Sequence, residues 1–128
     1  MSTPLLLSVM EVGGYPDFTS LYERLGYRVV RETSMRKVLK FLKQQHPEVI
    51  VAEFNFQSDF RDRTSSLESL LALVQRRPDV AVIVLYDREY AHQLARLEEH
   101  FSFAAKLAFP VGETDMERAL LAARAKNQ

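Results

Sequence analysis

Short apolar runs alternate along this chain with longer segments of helical period. Leu5 to Met10 is the first run, and the Gly13-Gly14 pair breaks it shortly before Pro16, where a helix can begin. Phe18, Leu21, Tyr22 and Leu25 recur at helical spacing up to Gly26, and Tyr27 to Val30 reads as a second strand. Thr33 or Ser34 can cap the next helix. Its apolar stripe is Val38, Leu39, Phe41 and Leu42, with Arg36, Lys37, Lys40 and Lys43 outward and Pro47 closing it. Val49 to Ala52 is a buried strand by length and β-branched content. A polar loop from Asn55 to Thr64 leads to Ser65-Ser66-Leu67-Glu68, at capping-box spacing, then to a helix carrying Leu70, Leu71, Leu73 and Val74 that runs until Pro78. Val80 to Leu85 has the unbroken hydrophobicity of a strand covered on both faces. Asp87 can cap a helix bearing Leu94 and Leu97, and Ser102 to Phe109 gives a weaker fifth strand ended by Pro110. Thr114-Asp115-Met116-Glu117 is a second capping box, opening a last helix with Leu120 and Leu121 inward.

This is a (βα)5 pattern without repeat, linker or low-complexity stretch, and it spans one domain over residues 1–128. Right-handed crossovers then require parallel strands with helices on both faces. The expected architecture is α/β, a flavodoxin-like doubly wound five-stranded sheet of order 2-1-3-4-5. Any site should lie at the carboxyl ends of its strands.

Composition narrows the chemistry. Lys+Arg and Asp+Glu both number 17, so no net charge draws the chain to nucleic acid. Without cysteine there are no disulfides, thiolate zinc sites or thiol nucleophiles, which fits the cytoplasm. No apolar run approaches a membrane span, and the first residues lack the basic flank of a signal peptide. Gly13-Gly14 matches neither the dinucleotide fingerprint nor the P-loop, so no cofactor is indicated. His46, His92 and His100 fall on different elements and suggest no metal site, and no nucleophile elbow or other enzyme constellation is present.

Several stretches, taken in order, resemble the receiver domains of response regulators. Leu25-Gly26-Tyr27-Arg28-Val29-Val30 resembles the end of the family's first helix entering its second strand. Thr33 to Leu42 and Pro47 to Glu53 resemble its second helix and the strand that carries the phospho-accepting aspartate. Arg77 to Leu85 resembles the fourth strand with its entry, and Ala105-Lys106-Leu107-Ala108-Phe109-Pro110 the fifth strand with its terminal proline, which makes Pro110 a candidate cis-proline.

The resemblance implies a phosphorylation site: two acidic residues after the first strand and an aspartate after the third to hold Mg2+, a Ser or Thr after the fourth, and a Lys before the fifth strand's proline. This sequence departs from that set. The acidic pair falls at Val9 and Met10, and a shift of one residue brings in only Glu11. The acceptor position is Glu53, one methylene longer than aspartate. The hydroxyl position is Tyr86 and the lysine position Phe109, with Lys106 three residues too early. Phosphoryl transfer depends on positioning and charge neutralisation, which Val9, Met10 and Phe109 do not supply.

Glu53 is open to three readings: a strand-end carboxylate without a role, a permanent mimic of the phosphorylated state, or part of a new ligand or partner pocket. Tyr15, Phe54, Phe56, Tyr86 and Phe109 all fall near strand ends, where rings can serve a partner surface or fill the space of a lost ion site. Asp59, Phe60, Arg61, Asp62 and Arg63 suit either a recognition loop or a solvated one. Arg28, Arg31, Arg36, Lys37, Lys40 and Lys43 form either a solvated face or a dock for an acidic protein. The leading expectation is a phosphorylation-independent receiver-like signalling module that contacts a protein partner and is not an enzyme. The alternatives are a residual phosphoacceptor in a two-component relay and a small-molecule-binding domain. In receivers the fourth helix, fifth strand and fifth helix commonly form the partner or homodimer face, which here runs from about Tyr90 to Arg124.

Overall fold

A computed structural model describes residues 3–11, 14–54 and 66–126. The strands are β1 (Leu5–Val9), β2 (Arg28–Glu32), β3 (Val49–Glu53), β4 (Ala81–Tyr86) and β5 (Ala105–Ala108). The helices are α1 (Thr19–Arg24), α2 (Met35–Leu42), α3 (Ser66–Val74), α4 (Ala91–Glu98) and α5 (Glu113–Lys126). All strand pairs are parallel, in the order β2-β1-β3-β4-β5, as the alternation of elements requires.

The central strands are buried on both faces, so their side chains alternate between two cores. Leu7, Ile50, Ala52, Val82 and Val84 pack with Val38, Leu42, Leu70 and Leu94 of α2, α3 and α4. Leu6, Val49, Val51, Ile83 and Leu85 pack with Leu21 and Tyr22 of α1 and Met116 and Leu120 of α5. Each fully buried leucine contributes about 1.5–3 kcal/mol through removal of apolar surface from water.

Several boundaries differ from the sequence reading for local reasons. Pro16 does not open α1; the Asp17 carboxylate accepts the Thr19 N–H at 2.9 Å and starts the helix there. Gly26 follows the helix at φ +97°, a left-handed conformation that favours glycine, and its N–H bonds the Glu23 carbonyl. Asp87 does cap, accepting the Glu89 N–H at 2.9 Å, but a short 3-10 turn at Arg88–Tyr90 precedes α4. The capping box at Thr114 does not form: α5 already begins at Glu113, and Glu117 reaches instead to Arg24 on α1 at 2.8 Å. Leu121 points outward and is 45% exposed, whereas Met116, Ala119, Leu120 and Ala123 make the inner stripe of α5. Ser65 and the loop from Asn55 to Thr64, with Phe56, Asp59, Phe60, Arg61, Asp62 and Arg63, lie outside the described residues.

Arg124 ties the end of α5 back to the α1–β2 corner. Its guanidinium donates to the Leu25 carbonyl at 2.7 Å and lies 4.9 Å from the centre of the Tyr27 ring. Among the described residues no helix is long and apolar enough to cross a membrane.

Candidate functional site at the strand ends

Strand alternation sorts the candidate residues onto two faces. Val9 is 1% exposed and belongs to the core beneath α2, α3 and α4, and Tyr86 packs against that same core. Phe54, expected among the edge aromatics, is also buried there, its N–H bonded to the Leu85 carbonyl at 2.7 Å. The opposite face carries Met10, which follows β1 and packs with Tyr15 against the α1–α5 core. β1 and β3 run in register to Val9 and Ala52, so Met10 follows level with Glu53. Glu53 alternates onto the face of Val49 and Val51 and is only 4% exposed. Glu11, beyond Met10, is partly buried.

Phe109 extends the β4–β5 ladder by one bond, its N–H donating to the Tyr86 carbonyl at 2.8 Å. The following Phe109–Pro110 peptide is cis. The Phe109 ring is 45% exposed and meets Tyr15 edge-on, with centroids 5.7 Å apart and planes at 78°. Such ring pairs contribute about 0.5–1.5 kcal/mol beyond their buried area.

Tyr15 links this pair to the buried carboxylate. Its pKa is pushed up to about 12, first by burial, then by the negative charges of Glu53 and Asp87. The structure therefore gathers Met10, Tyr15, Glu53 and Phe109 at one end of the sheet, with Asp87 within electrostatic reach. Tyr15 stood in the sequence only among the strand-end aromatics, and Gly14 just before it takes φ +91°.

Lys106 does not serve this end. Its ammonium bonds the Glu98 carboxylate of α4 at 2.6 Å, and that partner raises its pKa.

These residues do not suit Mg2+. That ion takes hard oxygen ligands in near-octahedral array. Met10 offers a thioether and Phe109 a ring, and Val9 faces the other core. Among the described residues no group of three or more His, Cys, Asp or Glu side chains could hold a metal ion.

Comparison with solved structures fits this architecture. A CheY-like response regulator receiver domain from Methanospirillum hungatei JF-1 aligns with a TM-score of 0.79 and 15% identity over 98% of this chain and 97% of that chain. A response regulator from Desulfuromonas acetoxidans aligns with a TM-score of 0.71 and 18% identity over 98% and 99% of the two chains. A response regulator receiver domain from Clostridium thermocellum aligns with a TM-score of 0.68 and 16% identity over 96% and 95%. The chain has the fold of response-regulator receiver domains. No protein-family model matches it, and no curated protein does.

Proposed function

We propose that the chain is a receiver-like signalling module that works through protein contact and without phosphorylation. The observation that carries this reading is the Tyr15–Phe109 pair beside Glu53. A phosphoryl group there would need its charge neutralised, whereas Asp87 adds negative charge and the acidic-pair and lysine positions of the receiver family hold Val9, Met10 and Phe109. Receiver-fold neighbours such as the CheY-like domain give the signalling context by analogy.

The face we assign to the partner is α4–β5–α5. Leu121 is 45% exposed on α5, and β5 is an edge strand flanked by the Lys106–Glu98 pair. A signalling protein or a second copy of this chain would dock there. In this reading the chain is not an enzyme, takes no cofactor and acts in the cytoplasm.

The test is capture of partners from native extract with and without acetyl phosphate and Mg2+, using the wild type and Leu121→Glu. The reading predicts the same partner in both conditions, its loss with Leu121→Glu, and an intact mass without a phosphoryl adduct. A stoichiometric adduct on Glu53 would replace it with a residual phosphoacceptor.

A further inference from the structure

Away from the strand-end site, positive charge gathers on α2 and the edge strand beside it. Residues 28–46 hold six Lys and Arg side chains and one carboxylate, Glu32, a net of +5; with 17 cations and 17 carboxylates in all, the rest of the chain carries −5. Arg28, Arg36, Lys37, Lys40 and Lys43 are exposed, and none of them enters an ion pair among the described residues. Of the six, Arg31 alone does, with Asp17 at 3.4 Å.

The geometry of α2 sets four of these cations on one face. Met35, Val38 and Leu42 form its buried side. At about 100° per residue, Arg36, Lys40 and Lys43 fall within about 60° of one another and Lys37 about 60° further round, opposite that buried side. Arg28 lies on the same side of the sheet, two residues before Val30, which packs against the core beneath α2.

This arrangement works against the helix that carries it. Arg36 and Lys37 lie in the first turn, at the positive end of the macrodipole, with no acidic residue there. Ser34 at the cap makes no side-chain hydrogen bond to the turn. Arg36 and Lys40 are like charges four residues apart, which repel. Such a grouping is relieved only by negative charge from outside the chain.

We propose that the outer face of α2 docks an acidic helix of a partner protein. Arg36, Lys40 and Lys43 run in a row along α2, so a helix laid beside it meets them with carboxylates three and four residues apart. A long polyanion such as duplex DNA would extend past the patch and meet the repulsion of a remainder of net charge −5. An anionic membrane would find no apolar side chain to take up, since Val38, Leu39 and Leu42 pack inward. β2 and β5 are opposite edges of the sheet, so this surface is distinct from the α4–β5–α5 face and does not rest on the partner assigned there.

The test is amide NMR of the full chain titrated with a synthetic alanine-based helix carrying glutamates at that spacing. Saturable shifts centred on residues 36–43 are expected, and they should be lost at high salt. Lys40→Gln should weaken binding about threefold, the effect of one exposed charge pair. Arg36→Glu combined with Lys40→Glu should abolish it, with the variant's own spectrum reporting that it folds. Arg96→Gln, at an exposed position on α4, should leave it unchanged. The proposal is overturned if the peptide gives no saturable shifts or shifts centred elsewhere, or if Arg96→Gln weakens binding as much as Lys40→Gln. It is overturned equally if a proline-containing peptide of the same charge binds as tightly, or if duplex DNA or phosphatidylserine vesicles bind this face more tightly than the helix.

Discussion

Replacing Glu53 by Gln keeps the shape of the side chain and removes its charge, so its effect should be read at Tyr15. The phenol's pKa rises from 10.0 to about 12 through three causes, of which burial is the largest and Glu53 the second. The share of Glu53 is therefore less than half of the rise from 10.0 to about 12. Solvent at this partly open edge screens the interaction further. Carbon NMR of labelled tyrosine rings, with Tyr15→Phe to assign the signal, follows the ionisation directly. Wild-type Tyr15 should stay protonated at pH 11, and Glu53→Gln should move its midpoint down by up to about 1 unit. A Tyr15 that titrates near 10 in the wild type, or one indifferent to Glu53→Gln, would refute the arrangement of ring and carboxylate.

The same tyrosines set the alkaline limit. Tyr15 and Tyr22 both have folded pKa values raised above that of the unfolded chain. Their contribution is complete below about pH 10 and is lost as pH rises through the folded values, so urea midpoints should fall above that pH and fall less in Tyr15→Phe. Leu120→Ala, at a 1% exposed position between α5 and the sheet, should cost about 2–5 kcal/mol in chemical denaturation. Arg124→Ala removes both the Leu25 bond and the Tyr27 contact and should cost about 1–2 kcal/mol by the same measurement. Gln93 has a buried side-chain oxygen with no partner, so Gln93→Met should leave thermal stability unchanged or raise it.

The strand order was legible because five buried runs alternating with helical stripes leave few topologies open to parallel strands. Boundaries were less legible where a side chain, not a periodic pattern, sets them. Asp17 starts α1 through a bond to Thr19, and Glu117 is taken by Arg24 and not by a cap. Leu121 looked inward because its neighbour Leu120 is; one residue is a rotation of about 100° on a helix, enough to cross from core to water. At the site, the unusual residues could be named from their places at strand ends. Which of them meet could not, because strand parity decides it. Glu53 and Phe109 come together on the α1–α5 side with Tyr15, while Val9, Phe54 and Tyr86 turn to the other core.

Independence from phosphorylation is tested most directly by adding Mg2+ and beryllofluoride, a phosphoryl mimic for carboxylates, to the labelled protein and recording its amide spectrum. The account predicts an unchanged spectrum. Saturable shifts centred on Glu53 and Tyr86 would contradict it and return the chain to the phosphorylated receivers whose fold it shares.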